Sequence, residues 1–258
     1  MNDHRKTWDN YHRFSAARAE LVIKILQQFA EIKNKRCLDI GCGNGATALK
    51  LVELNAQVTA IDLQATLAPH PRLEFFYGPV ENFLFAKRLF DIVILQDVLE
   101  HLPDPAAVLK KIRTSLSTDS LIYISTPNRF SIVNVISDPH WGLPMISLFS
   151  RRYVKFMVKS IFRKDRRQRS DWAALLSLAD IKKLFYQNNL ELYFVNSLVI
   201  KNLFLKPERV VCRPLHIQIT QFLKKMRSQK IVASFVNDRL GPFNYFINPT
   251  WYIIGKPK

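Results

Sequence analysis

Two acidic residues and a histidine lie close together in the segment Gln96-Asp97-Val98-Leu99-Glu100-His101. A histidine beside carboxylates can act as a general base that takes a proton from a hydroxyl group. Asp97, Glu100 and His101 are therefore candidate catalytic residues. A structural interpretation is the alternative, because His101 can also pack and hydrogen-bond at the start of the helix that follows.

A second candidate site is the glycine-rich turn in Leu38-Asp39-Ile40-Gly41-Cys42-Gly43-Asn44-Gly45, after which an apolar helix is predicted from about Ala46. Glycine permits positive φ angles and lets a ligand approach the backbone without a Cβ in the way. The spacing GxGxG differs from the GxGxxG fingerprint of dinucleotide-binding enzymes. An aspartate before it repels a pyrophosphate and attracts a cation. The turn therefore favours a cationic ligand, and a nicotinamide oxidoreductase remains the alternative.

Short apolar segments alternate with helical patterns in the first half of the chain. Each segment is too short for a helix, and most are bounded by turn or polar residues, as buried parallel strands are. The predicted strands are Arg36–Ile40, Gln57–Ile61, Leu73–Tyr77, Phe90–Leu95 and Leu121–Ser125. The residues at helical spacing are Ala19, Val22, Leu26 and Phe29, and then, after Asp104-Pro105, Val108, Leu109, Ile112 and Leu116. This alternation predicts an α/β fold with a doubly wound, mostly parallel sheet.

The alternation stops after Pro127 and resumes at Ser177, where Ser177 and Asp180 form a capping box. A strand at Glu191–Ser197 and a last strand at Phe246–Gly255 follow. Two late insertions interrupt the pattern and are predicted to form a lid or a substrate subdomain. The predicted segments are an N-terminal helical segment (1–35), a core (36–126), an apolar and basic insertion (127–176), a core helix and strand (177–200), a basic insertion (201–243) and the final strand (244–258).

Taken together, the glycine turn, Asp39 and the acidic residue in Ala60-Ile61-Asp62-Leu63 resemble class I S-adenosylmethionine-dependent methyltransferases. The resemblance covers residues 10–126 and, more loosely, 177–197. It implies a Rossmann-like sheet of seven strands and S-adenosylmethionine as cofactor. It also implies that Asp62 accepts both ribose hydroxyls, through charge-assisted hydrogen bonds of about 1.5–3 kcal/mol each.

The same resemblance implies which other residues contact the cofactor. Gly78-Pro79-Val80-Glu81 lies where the family contacts the adenine, although Pro79 replaces the usual acidic residue. Gln96 lies beside the methionine moiety, and Arg18 is either a ligand of its carboxylate or a surface arginine. The predicted cofactor-binding residues are Arg18, Asp39, Gly41, Cys42, Gly43, Asn44, Asp62, Leu63, Val80, Glu81 and Gln96.

The acidic-x-x-Glu-His spacing at Asp97 resembles two groups within this superfamily, the ubiquinone-pathway O-methyltransferases and the small-RNA 2′-O-methyltransferases. In both, such residues are associated with a divalent metal that polarises the acceptor hydroxyl. Thr126-Pro127-Asn128 and a later His140 also resemble the RNA group. The implied Mg²⁺ or Mn²⁺ ligands are Asp97, Glu100, His101 and His140. A site without metal is nevertheless the expectation, because the segment from Leu99 to Pro105 also resembles methyltransferases that need none.

Charge is distributed unevenly along the 258 residues, which carry a net charge of +17. Residues 127–258 contain 23 lysines and arginines against 7 acidic residues. This excess indicates an anionic partner such as lipid headgroups, nucleic acid or a phosphorylated substrate, or else a solvated basic face. Three cysteines without CxxC spacing, a polar stretch from Met1 to Phe14 and no long apolar run predict a cytoplasmic protein.

Basic and apolar residues interleave in 130–163 and 215–236, and the pattern at Tyr153, Phe156, Met157, Ile161 and Phe162 is that of a basic amphipathic helix. Such a helix lies in a membrane interface or packs its aromatic rings against the core. We therefore predict O-methylation, or less favourably C-methylation, of a small hydrophobic or lipid-like acceptor, with the enzyme peripheral at the inner membrane face. The alternatives are an RNA methyltransferase that uses the basic half as a phosphate track and a non-catalytic cofactor-binding partner subunit.

Overall fold

The fold is a seven-stranded sheet between two layers of helices. The computed structural model describes residues 3–64, 67–86, 88–157 and 172–258. The strands are β1 (Arg36–Ile40), β2 (Gln57–Asp62), β3 (Leu73–Tyr77), β4 (Phe90–Gln96), β5 (Leu116–Pro127), β6 (Leu190–Phe194) and β7 (Thr250–Pro257). The α-helices are α1 (Asp3–Leu26), α2 (Ala46–Glu53), α3 (Pro105–Arg113), α4 (Ile132–Ile136), α5 (Arg151–Met157), α6 (Leu178–Gln187), α7 (Asn196–Leu205), α8 (Pro214–Lys225), α9 (Gln229–Phe235) and α10 (Pro242–Ile247).

The strand order is β3-β2-β1-β4-β5-β7-β6. Strands β1 to β5 pair in parallel, and β7 runs antiparallel between β5 and β6. The prediction of a doubly wound, mostly parallel seven-stranded sheet is therefore confirmed. The order reverses between β1 and β4, and in open α/β sheets a crevice for ligands forms at that reversal.

Strand β4 shows why both faces of the sheet are covered. Successive side chains of a strand point to opposite faces. Ile92 and Ile94 pack with α1 and α2 on one face, whereas Val93 and Leu95 pack with α3 and α6 on the other. All four residues are fully buried, as expected for a central parallel strand.

Four predicted element boundaries are wrong. Phe29 lies in a turn beyond α1, which ends at Leu26. Phe246 lies in α10 rather than in the last strand, because Gly241 and a proline at the first helical position start a short helix there. Leu116 was predicted to belong to the helix after Pro105, but that helix ends at Arg113. Leu116 instead pairs with Phe90 and begins β5. The strand predicted to reach Ser197 ends at Phe194, since α7 begins at Asn196.

Both late insertions contain short helices among the residues that the structure describes. The first contains α4 and α5, and the second contains α8 and α9. Of the predicted amphipathic helix, α5 exposes Tyr153 and Phe156 rather than packing them against the core. Ile161 and Phe162 lie outside the described residues. None of the helices within the described ranges combines the length and hydropathy that a membrane span requires.

Gly255 in β7 gives a test of the packing between the sheet and α6. A Cβ added there would lie 2.7 Å from Cε1 of Phe185, a ring that is almost fully buried. We expect Gly255→Ala to lower the free energy of unfolding by about 1–3 kcal/mol, because the ring has no room to move away. Urea unfolding followed by circular dichroism measures this change.

Gly241→Ala is the matched control. Nothing lies within 4 Å of a Cβ at Gly241, and its φ of −77° suits alanine. Alanine is a poorer N-cap than glycine but reduces the entropy of the unfolded chain. These effects oppose each other, so we expect a change within about 0.5 kcal/mol. Equal losses in the two variants would contradict the packing argument.

Candidate active site

The carboxyl ends of β1 and β4 and the start of α2 enclose a pocket together with α1. The pocket opens at the carboxyl-terminal edge of the sheet, where open α/β folds bind their ligands in the loops after the strands. The residues that line the pocket are Ser15, Arg18, Asp39, Gly41, Cys42, Asn44, Ala46, Thr47 and Gln96. The glycine turn and Gln96 at the end of β4, both predicted to contact the cofactor, thus meet at one site.

The glycine turn adopts a backbone conformation that its glycines make accessible. Gly41, Gly43 and Gly45 have φ angles of 68°, 55° and 76°, a region that residues with a Cβ rarely occupy. A Cβ at Gly41 would also collide with the side chain of Val98. The turn therefore presents backbone to the pocket at close range.

Asp62 holds the turn in place. Its Oδ2 accepts a 2.9 Å hydrogen bond from the Gly43 N–H, and its Oδ1 accepts one of the same length from the Gln64 N–H. A carboxylate has about four acceptor positions, so these two bonds leave Asp62 able to accept further hydrogen bonds. Its position at the end of β2, beside the turn, agrees with the predicted role.

Asp39 is the group in the pocket that most needs a cationic ligand. It is only 2% exposed, and its Oδ2 has no hydrogen-bond partner among the residues that the structure describes. Burial and, secondarily, the nearby charge of Asp62 raise the pKa of Asp39 to about 7. A positively charged group in the pocket would stabilise the ionised form.

Arg18 and Asp97 form an ion pair at the wall of the pocket. The Ser125 hydroxyl donates a 2.7 Å hydrogen bond to Asp97 Oδ1, and the backbone of Asp97 is left-handed, with φ 56°. Burial by itself would raise the pKa of Asp97, but Arg18 holds it below its ordinary value. Asp97 is therefore an ionised group that orients Arg18 toward the pocket side of α1.

Three side chains form a second cluster just beyond β4, which we call the Glu100 cluster (Glu100, His101 and His140). Glu100 Oε1 lies 3.9 Å from His101 Nε2 and 3.8 Å from His140 Nε2. The two imidazole rings meet edge to face, with centroids 4.8 Å apart. The ligand atoms of all three residues lie within 4.8 Å of one another.

Glu100 is fully buried, and this burial raises its pKa to about 7. Its Oε2 accepts a 2.9 Å hydrogen bond from the Thr126 hydroxyl. Its Oε1 has no hydrogen-bond partner within the described ranges. That oxygen, placed between two imidazoles, can stabilise either an imidazolium or a bound cation.

The first insertion supports the Glu100 cluster from outside the sheet. Arg151 donates hydrogen bonds to the carbonyl oxygens of Glu100, Leu102 and Pro103 at 3.0, 2.7 and 3.0 Å. The backbone N–H of His140 donates to Asp138 Oδ1 at 2.8 Å. Sequence analysis missed Arg151, because no local pattern shows that a residue 51 positions away reaches this loop.

The predicted site residues are distributed as follows. Those that line the pocket are Arg18, Asp39, Gly41, Cys42, Asn44 and Gln96. Gly43 and Asp62 join it through their hydrogen bond. Leu63 follows β2, and Val80 and Glu81 lie in a short 3₁₀ helix after β3. Their contacts with a cofactor stay predictions. Sequence analysis missed Ser15 and Thr47; the Thr47 hydroxyl donates to Gln96 Oε1 at 3.3 Å.

The four predicted metal ligands do not come together as a set. Glu100, His101 and His140 form the group with metal-ligand spacing. Asp97, by contrast, is engaged by Arg18 and Ser125. Any metal at this site would be held by two imidazoles and one carboxylate.

The sheet order with its antiparallel β7, and a glycine-turn pocket at the reversal of strand order, define a class I S-adenosylmethionine-dependent methyltransferase fold. The family model described as "Methyltransferase domain" matches residues 11–193, and the chain belongs to that family. S-adenosylmethionine is its cofactor. The acidic Oδ2 of Asp39, which has no hydrogen-bond partner in the described part of the chain, fits a ligand that carries an ammonium and a sulfonium group.

Relatives and solved structures agree with this assignment. The chain is 34% identical over 128 residues to a "Ubiquinone biosynthesis O-methyltransferase" of Xanthomonas euvesicatoria pv. vesicatoria, covering 46% of this chain and 52% of that protein. It is 29% identical over 134 residues to the protein of that name from Hydrogenovibrio crunogenus, covering 47% and 56%. The chain thus spans about half the length of the curated relatives it matches.

The structural neighbours show the fold alone. The plantazolicin methyltransferase BpumL, in complex with a monoazolic desmethylPZN analogue and SAH, aligns with a TM-score of 0.57 at 16% identity, covering 99% of this chain and 90% of that one. An S-adenosylmethionine-dependent methyltransferase from Mesorhizobium loti aligns with a TM-score of 0.55 at 12% identity, covering 90% and 95%.

The pKa of Asp39 predicts how cofactor binding depends on pH. In the free protein the carboxyl group is half protonated at a pH of about 7, and a bound cation favours the carboxylate. Binding of S-adenosylmethionine below that pH therefore releases a proton, and affinity rises with pH, up to about tenfold per unit, until it levels off above about 7. Calorimetry in two buffers of different ionisation enthalpy measures the proton release.

Asp39→Asn is the matched variant for this experiment, since the amide has the same shape and does not titrate. We expect it to bind S-adenosylmethionine more weakly, with no dependence on pH between about 5.5 and 8. A wild-type affinity that is flat across this range would show that Asp39 does not respond to the charge of the cofactor.

Proposed function

We propose that the chain methylates a hydroxyl oxygen of a small hydrophobic or lipid-like acceptor, and that the Glu100 cluster activates this hydroxyl. The observation that carries the proposal is the single buried oxygen, Glu100 Oε1, with an imidazole nitrogen of His101 at 3.9 Å and one of His140 at 3.8 Å. The cluster follows directly on β4, whose last residue, Gln96, lines the cofactor pocket.

S-adenosylmethionine supplies an electrophilic methyl group when bound. The tasks left to the protein are to hold the hydroxyl in line, to take its proton and to keep water away. His101 is 29% exposed whereas His140 is 13% exposed and Glu100 is fully buried. His101 is thus the member of the cluster that an acceptor reaches, and its imidazole takes the proton.

Glu100 stabilises the imidazolium that this proton transfer produces. A charge-assisted interaction at a buried carboxylate favours the protonated imidazole. His140 lies beside the same oxygen, Glu100 Oε1, and the Thr126 hydroxyl donates to the other oxygen, Oε2. The arrangement resembles a general base with an orienting acid, which contributes about 10²- to 10⁴-fold to rate in enzymes.

A divalent metal at the Glu100 cluster is the second candidate for activating the hydroxyl. The spacing of its ligand atoms favours a bound cation, and so does Glu100 Oε1, which no described residue hydrogen-bonds. Two imidazoles suit Mg²⁺ poorly, because Mg²⁺ prefers oxygen ligands, and Mn²⁺ fits this donor set better. A metal held there would polarise the acceptor hydroxyl. We place the metal-free base first, because Asp97 is committed to Arg18 and supplies no second carboxylate.

Two observations support an apolar acceptor. The curated relatives bear the name ubiquinone biosynthesis O-methyltransferase, and ubiquinone precursors combine a phenolic ring with an apolar tail. Helix α4, which follows β5 beyond the active site, also exposes Ile132, Val133 and Ile136 at 54%, 43% and 66%. Apolar side chains of this kind suit a lipid-like molecule better than a polynucleotide.

The proposal is tested by following labelled methyl transfer from S-adenosylmethionine to a panel of acceptors. The panel contains phenols with and without apolar tails, the corresponding amines, and RNA. We expect methyl ethers from the tailed phenols, unchanged in the presence of EDTA and identified by mass spectrometry. Labelling of RNA or of amines alone would overturn the proposal, and loss of ether formation with EDTA that Mn²⁺ restores would assign the metal route.

A further inference from the structure

Helix α8 exposes a line of apolar side chains along one side. We call these residues the α8 stripe: Leu215, Ile219 and Phe222 in the helix and Met226 directly after it, which are 62%, 47%, 61% and 63% exposed. Their spacing of four, three and four residues places them on one side of a helix. Exposed apolar side chains arranged in this way mark a surface that contacts a membrane, a protein or a ligand.

The α8 stripe is not needed to attach α8 to the rest of the protein. Another side of the helix does this: Leu223 packs with Phe204 of α7 and Val232 of α9 in a small cluster. Thr220, only 5% exposed, lies on that inner side, and its hydroxyl donates to the His216 carbonyl at 2.8 Å. Helix α8 is therefore apolar on two sides, and only one of them is used within the chain.

The charge around the α8 stripe has a single sign. Between residues 209 and 237 the sequence contains no aspartate or glutamate. The basic residues of that segment are Arg209, Arg213, Lys224, Lys225, Arg227 and Lys230. Arg209 pairs with Glu20 of α1, whereas the others lie just before α8, in its last turn or just after it. An apolar line with basic ends is the pattern of a helix that lies in a membrane interface.

We propose that the α8 stripe docks on the surface of an anionic lipid bilayer, with its apolar side chains at the boundary of headgroups and acyl chains. A bilayer of this kind supplies both an apolar layer and negative charge. A second copy of the chain supplies an apolar surface but no matching negative charge, because it carries the same +17 and the same basic segment. Nucleic acid is anionic but offers no apolar layer to the stripe.

The docking surface is linked to the active site by a short segment. The turn at Pro207–Arg209 packs on α1, and Arg209 Nη2 donates to Glu20 Oε2 at 2.8 Å. Cys212, two residues before α8, lies within hydrogen-bonding reach of Arg18 in the cofactor pocket. The N-terminal end of α8 therefore lies near the cofactor pocket. This inference goes beyond the proposed function and holds whichever acceptor is methylated.

Vesicle flotation of the full chain tests the proposal, using vesicles of phosphatidylcholine alone or with about one-quarter phosphatidylglycerol. We expect binding to the anionic vesicles that weakens as salt is added. The double variant Ile219→Asp/Phe222→Asp should bind them at least about tenfold more weakly. Binding of S-adenosylhomocysteine, measured by calorimetry, should be the same in all proteins and shows that they fold.

The matched control is Leu84→Asp/Tyr186→Asp. It adds the same two negative charges at side chains that are 78% and 80% exposed but lie away from α8. We expect its vesicle binding to stay within about threefold of wild type, as for a small change in net charge. Equal losses in the two double variants would overturn the proposal, because net charge alone would then explain them.

Two further outcomes would overturn the docking proposal. One is a wild-type protein that does not prefer anionic vesicles. The other is a wild-type dimer, seen by sedimentation equilibrium, that the stripe variant dissociates, since the stripe would then join two copies of the chain. Methyl transfer is not a readout here, so failure of the docking proposal is distinct from failure of the proposed function.

Discussion

Replacing Glu100 with glutamine is expected to lower kcat by about 10²- to 10⁴-fold, with the affinity for S-adenosylhomocysteine unchanged. Glutamine keeps the shape of the side chain and an oxygen that can accept from the Thr126 hydroxyl. It loses the charge that stabilises an imidazolium at His101. Glu100 does not line the cofactor pocket, so the loss falls on methyl transfer rather than on cofactor binding.

Stability measurements separate this catalytic role from a structural one. Burial raises the pKa of Glu100 to about 7, so the folded state favours the neutral acid. Ionisation of Glu100 therefore opposes folding as pH rises from the ordinary glutamate value through about 7. Glu100→Gln is neutral at every pH and should be at least as stable as wild type at pH 8. A purely structural role for the cluster predicts the reverse.

The pH profile gives a second readout. The carboxylate form supports His101, so wild-type kcat should rise as pH increases through about 7. The Glu100→Gln variant should lose this dependence along with most of its rate. Glu53→Gln, at an exposed position of α2, is the control for removing one negative charge. Methyl transfer by Glu100→Gln within about threefold of wild type would assign a structural role to His101 and Glu100.

The sheet was predictable because its strands are short apolar segments between turn or polar residues. Strands β1 and β3 fall where the apolar segments end at turn or polar residues, and β2 differs from its predicted bounds by one residue. The last strand, β7, was predicted, but its first residue was not. Phe246 and Ile247 are as apolar as a strand, but they belong to the helix that begins at Pro242, so the boundary depends on backbone geometry rather than on hydropathy.

The site divides in the same way. Gly41, Asp39 and Asp62 were predictable, because a strand, a turn and a helix in sequence fix them relative to one another. The contact of Arg18 with Asp97 was not, since the two lie 79 positions apart in the chain. The approach of His140 to Glu100, 40 positions away, was predicted through the resemblance to the RNA group and not by a local pattern. The sequence allowed Asp97 to be a catalytic residue or a metal ligand, whereas the structure pairs its carboxylate with Arg18. Local patterns therefore predict the cofactor loop, whereas the acceptor side depends on how the insertions pack.

Asp62→Ala is expected to weaken binding of S-adenosylmethionine and S-adenosylhomocysteine by at least about 100-fold. Two charge-assisted hydrogen bonds to a ribose would contribute about 1.5–3 kcal/mol each, and each 1.4 kcal/mol is about tenfold in affinity. The substitution also removes the acceptor for the Gly43 and Gln64 N–H groups, so the turn loses the contact that holds it. Calorimetric titration with both ligands measures the loss.

Asp62→Asn separates these two contributions. Its side-chain oxygen can still accept from the Gly43 N–H and keep the turn in place, but it carries no charge. Intermediate affinity would show that the turn and the ribose contacts both matter, whereas affinity as low as that of Asp62→Ala would attribute the loss to charge. Asp119→Ala, at an exposed position of β5, should bind like wild type. If Asp62→Ala also binds like wild type, the cofactor does not use the end of β2, and the similarity of the glycine turn to that of other class I enzymes would not extend to its ligand contacts.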